Sequence, residues 1–275
     1  MTRSVALCAD DFGLGAGISA GIVDLAQRGR LSAVSCLAGA SAWREQAPRL
    51  DDMPASVQRG LHFNLTQGEP ASTALRRLWP RSPNLPSLLL AAALGRLPVD
   101  AIAQEWRAQW DAFVAAVGRA PAFVDGPQHV HHLPGVRETV LDAAASAGVA
   151  VRNTGRVAGP GFRLKRLVIE RSGGRALERE LRARGIAHNT VLAGVYDFAP
   201  RDYRELVRHW LAGAPPEGAL LMCHPAADGP AVPGDAIAAA RRREAHYLGS
   251  AEFVVDLASA GVTVGHAWPQ RPSAH

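Results

Sequence analysis

Short apolar runs alternate with amphipathic stretches along the chain. The runs predict β-strands, and the stretches, in which apolar residues recur three or four positions apart, predict α-helices. Strands are predicted over 5–9, 31–37, 57–65, 122–124, 149–152, 186–192, 219–222 and 262–265, and helices over 17–28, 100–117, 134–146, 175–184, 202–211 and 237–260, the last with a break near Gly249. Strands that alternate with helices are typical of a mostly parallel α/β fold. The sequence shows no internal repeat and no clear linker, so a single domain over 1–275 is the simpler prediction.

Segment 66–98 interrupts this alternation. It is rich in Pro, Leu and Arg, and we expect a substrate-side insertion or lid there. The helix predicted after it is the clearest in the chain, because Asp100 can cap it and Trp106, Trp110 and Phe113 recur at helical spacing. Packing in the core explains these aromatic residues better than a ligand-binding box does.

The composition of the chain limits the cellular compartments in which we expect it. Hydrophobic residues make up 48% of the chain, enough for a large core, and no apolar run approaches the roughly 18 residues of a membrane helix. The first residues lead directly into a strand and do not show the pattern of a signal peptide, so we expect a cytoplasmic protein. Cys8, Cys36 and Cys223 lie far apart in apolar segments, which predicts buried free thiols in a reducing compartment.

The charge of the chain points to no nucleic-acid partner. The net charge is +5, but the basic residues are scattered and Lys165 is the only lysine. A nucleic-acid-binding surface would need a basic stripe with interleaved aromatic residues, and the sequence has none.

Four polar clusters each follow a predicted strand. Barrels and open α/β sheets build their sites at the carboxyl ends of the strands, so these clusters are candidates for one common cavity. The first is Asp10-Asp11, two carboxylates that repel each other unless a cation or strong donors offset their charge. If Asp11 binds a metal ion, Asp10 can act beside it as a base. The alternative is that one aspartate caps the next turn while the other is solvated.

Histidines mark the second and fourth clusters. Alternation along the predicted strand 57–65 places Gly60, His62 and Asn64 on one face and apolar residues on the other. His224 follows the buried strand 219–222, where it is well placed as a general acid or base. Taken singly, His62 is better explained as a hydrogen-bonded buried histidine, and a solvent-facing His224 is as compatible with its pattern as a catalytic one.

The third cluster is Asp125-Gly126-Pro127-Gln128-His129-Val130-His131-His132, with three histidines within four residues. Neutral imidazole is a common ligand of transition metals. The prolines that flank the histidines predict a stiff, extended segment, in which His129 and His131 project to one side and His132 to the other. A metal-binding or catalytic role is favoured over a plain polar loop before a helix.

Carboxylates and histidines at successive strand ends together predict a mononuclear hydrolase site. A metal ion would polarise a carbonyl group and acidify a water molecule. A carboxylate would accept the proton of that water, and a histidine would protonate the leaving amine.

Four motifs occur in one order along nearly the whole chain, namely Ala9-Asp10-Asp11-Phe12-Gly13-Leu14, Gly60-Leu61-His62-Phe63-Asn64-Leu65-Thr66, Asp125-Gly126-Pro127-Gln128-His129-Val130-His131 and Cys223-His224-Pro225. In this combination they resemble the YdjC-like carbohydrate deacetylases, a family that includes the ChbG chito-oligosaccharide and HpnK hopanoid-associated deacetylases. The resemblance implies an irregular (β/α) barrel, similar to a TIM barrel, with one divalent metal ion. It implies a hydrolase of carbohydrate metabolism that removes acetyl groups from N-acetylated sugars. It assigns Asp11 and His62 as metal ligands, Asp10 as the base and His224 to the catalytic site as the acid.

One motif departs from the family pattern. The family usually has Asp-Gly/Ser-His-Gln-His-Val-His, whose first histidine is commonly the remaining ligand, and this chain has Pro127 there. Proline cannot bind a metal ion. His129 is the expected replacement because it lies two residues further on, with His131 as the alternative ligand. Asn64, Asp125 and His131 are otherwise expected to bind substrate or to support the ligands.

The ligand set leaves several metals and functions open. Two imidazoles and a carboxylate suit Zn, Co or Ni, and the resemblance also allows Mg. The expected partner is a small sugar, with no nucleic acid and no membrane, and a homodimer is suggested by the resemblance alone. Two other functions are a metal-dependent hydrolase of a non-sugar amide and a sugar-binding protein catalytically weakened by the loss of a ligand at Pro127.

Overall fold

A computed structural model describes residues 3–199 and 202–268. The strands are β1 (Arg3–Phe12), β2 (Ala33–Cys36), β3 (Gln58–His62), β4 (Phe123–Asp125), β5 (Ala150–Val151), β6 (Val191–Ala193), β7 (Ala219–Cys223) and β8 (Val262–Val264). The helices are α1 (Ala16–Gln27), α2 (Trp43–Gln46), α3 (Thr73–Leu78), α4 (Leu85–Ala93), α5 (Val99–Val117), α6 (Arg137–Ala147), α7 (Arg163–Ile169), α8 (Arg175–Ala183), α9 (Tyr203–Ala212), α10 (Ala238–Gly249) and α11 (Ala251–Ser259). The predicted domain 1–275 also covers positions 1–2, 200–201 and 269–275, which lie outside the described residues.

The sheet is parallel and curls into an irregular half-barrel with helices packed outside it. Its strand order is β5-β4-β3-β2-β1-β7-β6, and β8 pairs with the first residues of β1. After β5 the chain passes beside β6, where Val157 bridges Leu192 and the side chains of Asn153 and Asn189 hydrogen bond to each other's backbone. The predicted single-domain (β/α) barrel is confirmed in this irregular form.

Alternation along β1 divides the core into two parts. Val5, Leu7 and Ala9 pack into the large cluster between the sheet and the helices. Ala6 and Cys8 belong to the smaller cluster inside the curled sheet, which also contains the contacting rings of Phe123 and Trp268. Asp10 continues the inward-facing side of β1, so the strand directs its carboxylate into the mouth of the barrel.

Segment 66–98 is more regular than its composition predicts. It contains α3 and α4, whose first turns are capped by side-chain oxygens of Ser72 and Asn84. Both helices bury one or two residues, and α3 packs against α5. The prediction of an irregular stretch was wrong because helices this short show too few turns for their periodicity to stand out. Its role as a substrate-side insertion stays a prediction.

Two helix boundaries were predicted from local side chains, and the structure agrees with one of them. The predicted break near Gly249 is confirmed: α10 ends there, and Ser250 accepts a hydrogen bond from the backbone N–H of Phe253 to begin α11. The predicted cap of α5 was wrong, since Asp100 lies inside the first turn and no side chain caps that helix. A carboxylate in the first turn still stabilises the positive end of the helix dipole.

Two predictions about the chain as a whole can be compared with the described residues. Cys8, Cys36 and Cys223 are buried free thiols, as the sequence predicts. No helix of the described ranges combines the length and apolarity that a membrane crossing requires.

Candidate active site

The two carboxylates at the end of β1 have different partners. Asp10 accepts two hydrogen bonds from Arg152, from Nη1 to Oδ2 at 2.7 Å and from Nη2 to Oδ1 at 2.6 Å. Asp11 has a left-handed backbone with φ 70°, and its Oδ2 accepts from Arg241 Nη2 at 2.7 Å. Left-handed φ values are uncommon outside glycine, and this one coincides with the irregular register between β1 and β2 from Ala9 to Phe12. Two guanidinium groups therefore offset the repulsion between adjacent buried carboxylates.

His62, at the end of β3, lies between two carboxylates. Its Nδ1–H donates to Asp125 Oδ1 at 2.6 Å, and its Nε2 lies 3.5 Å from Asp11 Oδ1. Burial alone would lower the pKa of His62, but Asp125 and Asp11 raise it to about 10. The hydroxyl of Ser35 also donates to Asp125 and helps to fix that carboxylate. The buried imidazole is thus held in one orientation with Nε2 aimed at Asp11.

Arg152, which follows β5, joins the two carboxylate systems. Its side chain is fully buried, and Nη2 lies 2.6 Å from Asp125 Oδ2 and 3.1 Å from Cys8 Sγ. A metal site needs several His, Cys, Asp or Glu side chains close together. In the part of the chain that the structure describes, one group of three has its ligand atoms within 4.8 Å of one another, namely Cys8, Asp10 and Asp125. The guanidinium occupies the space between them and does not give up its proton, so this cluster is no candidate for a metal ion.

Asp11 and His62 form the better candidate metal centre. Their facing atoms, Oδ1 and Nε2, lie 3.5 Å apart, a spacing that suits two ligands each about 2 Å from one ion. Asp125 holds the other ring nitrogen of His62, as carboxylates commonly do for metal-binding histidines. Arg241 takes the other oxygen of Asp11 and leaves Oδ1 free. These residues fit the two ligand roles that the resemblance implies.

The sequence predicted that the histidine-rich segment is extended, and this prediction was wrong. Pro127–His132 forms a 3₁₀ turn in which Gln128 and His129 have left-handed φ values of 53° and 64°. Directly before this turn, a Cβ atom on Gly126 would lie 2.6 Å from the carbonyl oxygen of Phe63, so only glycine fits there. Alternation applies only to extended backbone, so the argument that placed His129 and His131 on one side was wrong.

The three histidines of this turn differ in their hydrogen bonds. His131 Nε2–H donates to the backbone carbonyl of Arg152 at 2.9 Å. The ring of His132 lies between the hydroxyls of Thr154 and Ser172, at 2.8 and 2.9 Å. Nδ1 of His129 has no partner among the described residues. Burial lowers the pKa of all three, so each ring is neutral at pH 7.

His129 is consequently the histidine of this turn whose ring is least committed. Within the described ranges, however, its ligand atoms do not lie within 4.8 Å of those of both Asp11 and His62. The structure therefore brings the first two predicted ligands together and leaves His129 outside their immediate contact. The assignment of the third ligand stays a prediction.

His224 and Asn64 have contrasting positions. His224, directly after β7, places Nε2 4.0 Å from Asp10 Oδ2, and its ring meets Phe198 edge-on. Acid and base candidates are therefore neighbours. The side chain of Asn64 is used within its own loop, where Oδ1 accepts from the backbone N–H groups of Thr66 and Gln67 at 3.0 Å each. It shapes the loop after β3, and substrate contact by Asn64 stays a prediction.

Sequence reasoning missed the two arginines of the site. Arg152 is the last residue of the predicted strand 149–152, so the strand-end rule that singled out the four clusters could have found it. Arg241 lies within a helix, 230 positions from its partner Asp11, and carries no local signal. Only the folded chain shows that it neutralises Asp11.

Similarity to known proteins bears on the family and the fold of this chain. The profile of the YdjC-like protein family matches residues 4–259. Chitooligosaccharide deacetylases of Enterobacter sp. (strain 638) and Salmonella enteritidis PT4 (strain P125109) are each 32% identical over 162 residues, 55% of this chain and 60% of theirs. The match therefore spans less than two thirds of those relatives. A protein of Enterococcus faecalis V583, provisionally described as a cellobiose-phosphate cleavage protein, shares the fold with a TM-score of 0.74 at 18% identity, over 97% of this chain and 98% of that chain.

Proposed function

We propose that this chain, which belongs to the YdjC-like family, is a metal-dependent hydrolase that removes acetyl groups from N-acetylated sugars such as chito-oligosaccharides. One observation carries the proposal: the facing pair Asp11 and His62 lies beside the pair Asp10 and His224 at one end of the barrel. The names of the curated relatives support the same substrate class. A cytoplasmic location is part of the proposal, supported by the buried free thiols.

Asp11 and His62 would hold one divalent ion, with His129 as the proposed further ligand. Bound there, Zn, Co, Ni or Mg would supply a Lewis acid for the acetyl carbonyl and would lower the pKa of a water molecule. Asp125 keeps the proton on Nδ1 of His62, and a metal ion at Nε2 would take the place of the second proton that the charged ring carries. Arg241 leaves one oxygen of Asp11 free for the same purpose.

Asp10 would accept the proton of the attacking water. The paired hydrogen bonds from Arg152 fix the plane of the carboxylate, and such bidentate pairs are geometrically specific. The water oxygen forms a bond to the acetyl carbon, and the bond from that carbon to the sugar nitrogen breaks. His224 would give its proton to the leaving nitrogen, so the products are acetate and an amino sugar.

A substrate panel tests the proposed class. Acetate release would be measured with added metal from diacetylchitobiose, triacetylchitotriose, N-acetylglucosamine and N-acetylated amino acids. We expect release from the sugars and none from the amino acids. Faster release from the amino acids would instead identify a hydrolase of non-sugar amides.

Pro127 favours one second candidate, a sugar-binding protein that has lost most of its catalysis. Proline contributes no ligand at the position where the family commonly has a histidine. This candidate predicts that N-acetylated sugars bind in calorimetry while no member of the panel releases acetate under any of the four metals. Acetate release at any appreciable rate would contradict it.

A further inference from the structure

Helix α10 carries two buried charged residues on one face. Arg241 and Glu244 are 2% and 0% exposed, and residues three positions apart on a helix are neighbours. Arg241 reaches Asp11, the proposed metal ligand. Glu244 reaches His224, the proposed acid. One turn of α10 therefore contacts both halves of the candidate site.

Glu244 makes two short hydrogen bonds at the end of β7. Its Oε2 accepts from the backbone N–H of His224 at 2.5 Å, and its Oε1 accepts from the hydroxyl of Tyr196 at 2.6 Å. A buried carboxylate is costly unless it is hydrogen bonded, and bonds to a charged acceptor are stronger than neutral ones. Burial and the charge of Glu244 raise the pKa of Tyr196, so its hydroxyl keeps its proton and donates.

The second bond of Glu244 supports the His224 imidazole indirectly. The ring of Tyr196 lies 4.6 Å from that of Phe198, which in turn meets the His224 ring edge-on at 5.2 Å. Phe198 has a left-handed φ of 60°, a strained conformation that needs support from its surroundings. Lys165 adds to that support, because Nζ donates to the Tyr196 carbonyl at 2.5 Å and lies 4.9 Å from the centre of the Phe198 ring.

We propose that Glu244 is a positioning residue for His224, holding its backbone directly and its ring through Tyr196 and Phe198. The proposal rests on the proposed function, in which His224 protonates the leaving nitrogen. Among the described residues, Glu244 hydrogen bonds to Tyr196 and His224 and not to Asp11 or His62, so its influence belongs to proton transfer and not to metal binding.

Kinetics of Glu244→Gln test this role. The amide keeps the shape of the side chain but cannot accept both hydrogen bonds without turning the Tyr196 hydroxyl. We expect kcat to fall by on the order of tenfold, which is less than the roughly 100-fold or more that losing an acid or base outright would cost, with KM and metal content unchanged. In a His224→Gln background the same substitution should cause no further loss, because the two residues act as one unit.

A matched control is available in α11. Asp256 is also a buried carboxylate that accepts from a tyrosine hydroxyl, that of Tyr247 at 2.9 Å, and it pairs with Arg204. Asp256→Asn should leave kcat unchanged. A fall in kcat equal to that of Glu244→Gln would show a general effect of losing a buried carboxylate and would overturn the proposal.

A second readout does not depend on turnover. In protein with ¹³C-labelled histidine, the His224 ring signal is identified by its absence in His224→Gln. We expect Glu244→Gln to move that signal and Asp256→Asn to leave it in place. An unmoved signal overturns the proposal, while a moved signal in a protein that releases no acetate upholds the positioning and rejects the deacetylase. If Glu244→Gln does not fold, Tyr196→Phe removes one of the two donors and should move the signal in the same direction.

Discussion

Asp10 and Asp11 are adjacent in the chain, yet as single residues they belong to separate networks. Arg152 binds both oxygens of Asp10, whereas Arg241 binds one oxygen of Asp11 and leaves the other facing His62. Identical side chains thereby acquire different chemistry. The proposed division into base and metal ligand rests on this difference in partners.

Asp10→Asn tests the base at this scale. An amide cannot accept the water proton, so turnover should fall by on the order of 100-fold or more, within the usual contribution of general base catalysis. Metal content, measured by atomic emission, should match the wild type because Asp10 does not face His62. Near-normal turnover of Asp10→Asn would assign the base elsewhere.

His129 and His131 make a second residue-scale test. His131→Ala leaves the buried carbonyl of Arg152 without its donor, which should lower the free energy of unfolding by about 1–3 kcal/mol while metal is retained. His129→Ala should weaken metal binding with a smaller change in stability. Urea unfolding and metal titration of both variants check this. Loss of metal in His131→Ala alone would mean that the wrong histidine was chosen.

At the scale of elements, the turn Pro127–His132 departs most from the sequence-based prediction. Gln128 and His129 have left-handed φ values, and the alternation of side chains that holds for extended backbone does not apply to such a turn. Most strands and longer helices were predicted because burial on one or both faces shows in their sequence. Helices α2, α3, α4 and α7 were missed, since helices of nine residues or fewer have few turns in which a period can show. Helix α8 is as short as α4 and was predicted because its sequence is strongly amphipathic.

Pro127→His tests whether this turn lost a ligand. If position 127 faces Asp11 and His62, the new imidazole should raise the affinity for Zn²⁺ or Ni²⁺, measured by competition with a chromophoric chelator. Gln128→His is the matched control, because it adds the same side chain at the next, exposed position. If Pro127→His and the wild type bound the metal ion with equal affinity, position 127 would not face the proposed metal centre.

Gly60 in β3 sets the approach of that strand to its neighbour. A Cβ atom on Gly60 would lie 2.4 Å from the Phe123 ring, and overpacking of this kind typically costs about 1–3 kcal/mol. Gly60→Ala should lower the urea midpoint accordingly. Gly213→Ala is the control, because a Cβ atom there would lie 3.4 Å from its nearest neighbour, an ordinary contact distance. If both variants were equally stable, β3 would have room that the structure does not show.

Across the whole molecule, the fold follows from the order of strands and helices, and the site follows from where the strands end. Asp10, His62, Asp125, Arg152 and His224 all lie at or just after the carboxyl ends of parallel strands. Sequence reasoning reached four of these five positions by that rule. It could not reach Arg241 or Glu244, because their partners are distant in the chain and become neighbours only when α10 packs beside β1 and β7.

Metal-dependent deacetylation is the central claim, and one measurement tests it most directly. Acetate release from diacetylchitobiose would be followed in protein treated with a chelator and then given back Zn²⁺, Co²⁺, Ni²⁺ or Mg²⁺, with His62→Gln in parallel. We predict that release stops with the chelator, returns with at least one metal and stays absent in His62→Gln. Release that continues in the chelator, or returns equally in His62→Gln, would contradict a metal centre at Asp11 and His62.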